Sequence, residues 1–319
     1  MSRVAVGTPP RAKGKKFRQF TEQFQLQSMV LPGIALIIIF CYIPMWGVLM
    51  SFQKFNITAG FWSSPWVGMS NFVEFVNSRD FSMVMRNTLV ISGLKLLIGF
   101  PAPIILALLL NEVRFPMIKR GIQTITYLPY FLSWVVVSGM LFTLLSSDGG
   151  SVNMMLLGLG IISEPINFMN RQSLFWPILI VANIWKDVGF SAIIYIAAIT
   201  GVSPEYYEAA ELDGAGKLRK IWNITLPCIA PQIIILLILS ISGILDAGFD
   251  DIYLLTNNMK NGILIPVAEV IETHVYRMGV LSQRYSYATA VGLFKSVISV
   301  VLLVGANALS RKITDSSLW

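Results

Sequence analysis

Residue types that carry catalysis are scarce among these 319 residues. His274 is the single histidine and stands outside any H-E-x-x-H pair or Cys/His cluster, and no G-x-S-x-G elbow is present. Neither a metal-bound water nor an activated serine has the neighbours it needs. The run GAGKLRK at 214–220 has the lysine of a phosphate-binding loop but not its first glycine, and Leu218 stands where Ser or Thr should follow the lysine. No cofactor or metal site is therefore expected in this chain. What remains are polar groups set inside apolar stretches: Asn183, Trp185, Lys186 and Asp187 together, Tyr195 further along, then Asp246 and Lys295. An ionised group in hydrocarbon is costly and faces either a cavity or a partner. In a cavity, Trp185 or Tyr195 would stack on a ligand ring while the amide and charged groups bond its polar edge. The structural alternative pairs Lys186 with Asp187 or Asp246, and Lys295 with a lipid phosphate or another subunit.

The elements that must hold these groups are membrane helices. Apolar residues make up 55% of the chain and charged ones 13%, with a mean hydropathy of +0.68, against roughly a quarter charged in soluble domains. Six stretches reach the roughly 20 residues that a helix needs to cross a bilayer, near 29–52, 82–110, 122–146, 173–200, 228–250 and 286–309. The fold class is thus all-α, a polytopic membrane protein with six transmembrane helices. The division is a basic segment 1–28, a transmembrane domain 29–310 with a polar loop at 201–227, and a tail 311–319. Pro101 and Pro103 predict kinks in the second span. The first stretch is too long for a signal peptide and lacks a small-residue cleavage site, so it is expected to remain as a helix. Cys41 and Cys228 fall at opposite membrane faces and are expected to pack rather than pair.

Orientation follows from the 24 Lys and Arg. With both termini inside, fourteen lie in cytoplasmic pieces, six in external ones (Lys54, Arg79, Arg171, Lys260, Arg277 and Arg284), and four within or at the ends of spans (Arg86, Lys95, Lys186 and Lys295). This bias satisfies the positive-inside rule and puts the 201–227 loop in the cytoplasm. The net charge of +7 needs no nucleic acid, because a basic segment beside a first span serves orientation and anionic headgroups. Among the external loops, 263–280 reads as an interfacial helix that contacts a partner, plugs an entrance or packs, with His274 in that packing. FWSSPW at 61–66 has the character of an interfacial aromatic belt.

The polar loop is sharply punctuated. Ser203 suits an N-cap, Pro204 the first helical position, and Glu205 the positive end of the helix dipole. Tyr206, Ala209, Ala210 and Asp213 share helical spacing, so small residues can lie on one face. Gly214 and Gly216 offer a break at positive φ, and Pro227 is expected to close a second short helix before the next span. Glu208, Ala209 and Ala210 are followed after three residues by Gly214 and, nine residues later, by Ile224, Leu226 and Pro227. This pattern resembles the EAA loop of ABC-importer permeases. NIWKDVGFSAIIYIAAITGVSPEYYEAAELDGAG (183–216), SYATAVGLFKSV (286–297) and SRKITDSSLW (310–319) are similar to the permeases of binding-protein-dependent oligosaccharide and polysaccharide importers, including alginate and complex-polysaccharide systems.

That resemblance implies a type I ABC-importer permease fold in a bacterial plasma (inner) membrane. It implies a second homologous permease, a dimeric ATPase that binds ATP and Mg, and an extracytoplasmic solute-binding protein. Glu208 would meet a basic group of the ATPase, Ala209 and Ala210 would allow close docking, and Asp213, Gly214, Ile224, Leu226 and Pro227 complete the coupling loop. The substrate would be an oligosaccharide or polysaccharide; lysines lining the path would favour an acidic one such as alginate, with neutral sugars still allowed. A gradient-driven secondary transporter and a noncatalytic structural subunit are the alternatives; the first would usually show internal repeats, and none is clear here.

Overall fold

The computed structural model describes residue 24 and residues 28–314. The N-terminal basic cluster and the end of the tail lie outside these described residues. The chain divides into two units, one ending at Leu49 and one starting at Met50. The first span, Ser28–Phe52, contributes a strongly apolar helix with no buried residue in its most hydrophobic window.

Within the second unit four further helices are long and apolar enough to cross a membrane: Arg79–Asn111, Gln172–Thr200, Lys217–Ser242 and Tyr285–Lys312. They are called here the second, fourth, fifth and sixth spans. The third span is not one helix. Pro116–Phe131 and Trp134–Leu144 meet at 102°, because Pro129 sits in a 3-10 turn at Leu128–Phe131 and Ser133 caps the next helix through the Val136 amide. The fourth span is the centre of the unit, with 39% of its window buried against 17% for the other three. Ala107, Ala192, Tyr195, Ile199 and Ile229 form one core joining the second, fourth and fifth spans. Gly189 lets the fourth span approach the third span's backbone, since a Cβ there would lie 2.0 Å from the Thr126 carbonyl oxygen.

Three prolines inside the spans are accommodated by one repeated device. The amides of Ile43, Phe100 and Leu226 bond the carbonyls of Ile38, Lys95 and Ile221, each five residues back, and each stands directly before a proline: Pro44, Pro101 and Pro227. The widened π turn gives room for the ring that would otherwise strike the preceding turn. For this reason Pro227 does not close a short helix, as expected from sequence, and the helix runs on from Lys217 to Ser242.

Beyond Ser242 the chain leaves helical geometry until Asp250–Leu255, short of the 228–250 helix expected. The 263–280 segment is likewise interrupted. Ile265–Ala268 and Ile271–Tyr276 are separate turns, broken at Glu269 and Val270, both fully buried. His274 is packed there, bonded to Glu269 Oε1 and Tyr287 Oη at 3.1 Å each. Trp62 and Trp66 are exposed, as a belt requires. Cys41 and Cys228 are free and exposed, so neither packs as expected.

Candidate functional site

Two features stand out, a tethered surface helix at one end of the unit and a polar cavity among the spans. The helix is Pro204–Leu212. Ser203 caps it by accepting from the Glu205 amide at 3.4 Å, with Pro204 in the first turn. It ends in a Schellman turn, in which the Ala215 amide bonds Ala210 O at 2.8 Å and the Gly214 amide bonds Glu211 O at 3.0 Å. Gly214 takes φ +72°, where a Cβ would be strained. Gly216 has φ −70° and serves only as an extended N-cap, so the break needs one glycine where two were expected.

This helix is tied to the fifth span at two points. Tyr207 Oη lies 3.0 Å from the buried Thr225 hydroxyl, and Lys220 donates to Glu211 at 2.5 Å. That lysine, through its hydrogen bond and its charge, holds the Glu211 carboxyl below its usual range. Lys217 also reaches Glu112, at the end of the second span, at 3.4 Å. Glu208, Ala209 and Asp213 are exposed and Ala210 is half-buried. Ile224 is half-buried in the π turn, Leu226 half-buried and Pro227 exposed beyond it. The helix therefore presents a small-residue face while its other contacts join it to a membrane helix. Such a tether can carry a displacement from surface to spans.

The cavity, about 650 Å³, is lined by the second span, the break in the third, the fourth span and the irregular end of the fifth. Lys95 and Asp246 supply its charged groups, and Tyr130, Phe190 and Tyr195 its largest rings. Irregular backbone at membrane depth is tolerated where it borders such a space. Lys95 Nζ donates to Ala247 O and to Asp251 Oδ2, both at 2.7 Å. Asn183 Nδ2 meets the same Asp251 oxygen at 3.0 Å. A smaller adjoining space of about 180 Å³ has Lys95, Asn183 and Asp187 in its wall.

The residues singled out from sequence therefore separate. Tyr195 and Asp246 reach the large cavity, and Asn183 and Asp187 the small one. Trp185 lines a wholly apolar groove with Pro177 and Met140. Lys186 is buried and turned to the third-span break, donating to Tyr130 O at 2.8 Å with its ammonium over the Tyr130 and Trp134 rings. Lys186 thus lines neither cavity and forms no salt bridge with Asp187 or Asp246; it caps a broken helix instead. Lys295 binds Glu272 at 2.5 Å and stands 3.6 Å from Asp246.

Sequence reasoning missed Lys95, Asp251, Tyr130 and Phe190. Lys95 was visible as a charge inside a span, and Pro129 signalled the break that exposes Tyr130. Asp251 carried no such signal, because its segment reads as a loop. Asp80, Glu269 and His274 place possible ligand atoms within 4.8 Å of one another. Arg277 stands among them, bonded to Glu269 at 2.6 Å and Asp80 at 2.8 Å, and supplies the cation those carboxylates need.

A helical membrane unit with a polar cavity and an exposed helix tethered to its spans has the architecture of a transport subunit. Residues 99–315 match the family described as binding-protein-dependent transport system inner membrane component, and the chain belongs to that family. This sets aside the gradient-driven alternative and agrees with the type I importer permease fold. The chain is 44% identical to Protein LplB of Bacillus subtilis (strain 168), over 92% of this chain and 91% of that protein. It is 43% identical to the polygalacturonan/rhamnogalacturonan transport system permease protein YteP of the same organism, over 93% and 91%. Among solved structures, a bacterial ABC transporter involved in the import of the acidic polysaccharide alginate has a chain 41% identical, with TM-score 0.85, covering 94% of this chain and 99% of that one. A second structure has that kind of transporter in complex with an alginate pentasaccharide-bound periplasmic protein. Its matched chain is 40% identical with TM-score 0.85, over 95% of this chain and 99% of that one.

Proposed function

We propose that this permease forms, with a second homologous permease, the pathway by which an oligosaccharide of the uronate-containing class enters the cell. The solute-binding protein delivers the sugar from outside, and a separate ATPase dimer, which holds ATP and Mg, drives the cycle from the cytoplasm. Both chain termini lie on the cytoplasmic side, in keeping with the lysine and arginine bias. The sugar class follows the polygalacturonan and rhamnogalacturonan of one similar permease and the alginate of the similar importer.

The observation that carries the coupling role is the double tether of Pro204–Leu212. Tyr207 to Thr225 and Glu211 to Lys220 join the helix bearing Glu208, Ala209 and Ala210 to the fifth span. A displacement imposed on that helix by the ATPase thereby reaches the fifth span, whose residues line the cavity. Glu208 meets a basic group of the ATPase, and Ala209 and Ala210 allow the approach. Asp213, Gly214, Ile224, Leu226 and Pro227 set the elbow.

The test is uptake of a labelled oligogalacturonide by proteoliposomes holding the complete complex with its binding protein. Glu208→Ala should reduce uptake roughly tenfold or more while the assembled complex still binds ATP. Full uptake in that variant would remove the coupling role from Glu208.

A further inference from the structure

The large cavity has an aromatic wall. Tyr130 and Phe190 are stacked, with centroids 3.8 Å apart and planes 6° apart, and Phe131 meets the Phe190 edge. Both stacked rings line the cavity and remain partly open, Tyr130 being 38% and Phe190 39% exposed. The stack exists because the third span breaks. The 3-10 turn at Leu128–Phe131 points Tyr130 toward the fourth span, and Lys186, four residues before Phe190 on that span, pins the turn through the Tyr130 carbonyl. An apolar ring face beside hydroxyls matches a pyranose, whose C–H face is apolar and whose rim is polar. Ser191 and Ser240 supply hydroxyls on the same wall, and Asp246 a carboxylate acceptor.

The cations near this wall are already engaged. Lys95 is the only basic residue lining the cavity among the described residues, and it is bonded to Asp251. Lys186 is spent on the helix break and Lys295 on Glu272. A carboxylate entering the cavity meets no unengaged cation on this wall, and Asp246 would repel it.

We infer that this chain recognises the sugar as a ring with hydroxyls, through the outer face of Phe190, which Tyr130 backs, and leaves the uronate carboxylate to other subunits. The inference rests on the oligosaccharide reading above and says which part of the sugar this wall selects. Phe190 is the substrate contact, and Tyr130 and Lys186 are positioning residues.

The experiment compares uptake of an oligogalacturonide and of its carboxyl-reduced counterpart by the complete reconstituted complex. Phe190→Leu keeps apolar volume and removes the ring face; Phe190→Tyr keeps the face. In Phe190→Leu the apparent KM should rise about fivefold for both sugars alike, the scale of one aromatic contact, with Phe190→Tyr near wild type and yields of assembled complex equal. Tyr130→Leu, which retains the carbonyl that Lys186 needs, should behave as Phe190→Leu does. An unchanged KM in both leucine variants, with the wild-type complex active, would overturn the platform while leaving the oligosaccharide reading intact. A loss confined to the acidic sugar, in these variants or in Lys95→Met, would overturn the separation of ring from carboxylate. Uptake of neither sugar by the wild-type complex would overturn the oligosaccharide reading itself and the platform with it.

Discussion

Lys95 and Asp251, 156 residues apart, are joined by a 2.7 Å ion pair that fastens the second span to the short helix Asp250–Leu255 beyond the fifth. Asp251 is 4% exposed and Lys95 24%, and the same ammonium holds the Ala247 carbonyl. Gly248 must be glycine for this contact. Its φ is +102°, and a Cβ there would stand 2.5 Å from Asp251 Oδ1. The pair closes one side of the cavity, so its loss should act on stability and on the shape of the wall together.

Removing one partner leaves a buried charge uncompensated. Lys95→Met, which leaves the buried Asp251 carboxylate without its cation, is expected to destabilise by about 3 kcal/mol, and Asp251→Ala by less because the Lys95 it leaves behind is partly open. The double variant should recover part of the loss. Thermal survival of the detergent-purified complex, followed by gel filtration after heating, checks this; strictly additive losses would mean that the two groups do not interact.

The approach of the fourth span to the third depends on Gly189. Gly189→Ala drives a methyl into the Thr126 carbonyl and should cost about 3 kcal/mol or prevent assembly, as overpacking does. Gly292→Ala, where nothing lies within 4 Å, should be tolerated. The yield of assembled complex from the two variants gives the comparison, and equal yields would contradict the close approach.

Two carboxylates should give opposite pH slopes. Glu211, lowered by its hydrogen bond to Lys220, contributes stability that is present above its usual value of 4.5 and is lost as pH falls through its lowered value. Glu272, raised by burial against the pull of Lys295, contributes stability that is complete below 4.5 and is lost as pH rises through its raised value. Glu272→Gln should therefore flatten the alkaline side of the profile and Glu211→Gln the acidic side. Melting of the complex between pH 3 and 8 measures both, and a Glu272→Gln profile matching wild type on the alkaline side would refute the burial effect.

Lys186 should behave as a structural cap rather than as a charge reader. Lys186→Met leaves the Tyr130 carbonyl without its donor and should lower thermal survival by about 1–3 kcal/mol, with uptake of acidic and carboxyl-reduced sugars reduced in equal proportion. Lys186→Arg should restore much of the stability. A loss selective for the acidic sugar would return Lys186 to the substrate path.

Much of this protein could be read from local pattern. Helical spans are dictated by runs of apolar residues, and the loop helix by Ser203, Pro204, Glu205 and Gly214, because caps, dipoles and left-handed turns act within a few residues. The E-A-A to I-x-L-P spacing is likewise a local pattern, contained within 20 residues of the chain. Tertiary structure alone decided what each buried charge faces. Lys186, Asp187, Asp246 and Lys295 look equivalent in sequence, yet one caps a broken helix, one lines a small side space, one opens to the cavity and one pairs with Glu272. Hydropathy along the chain records that a charge is buried but not its direction. That direction depends on where the third and fifth spans break, and on contacts such as Lys95 with Asp251 that join distant segments only when the helices pack.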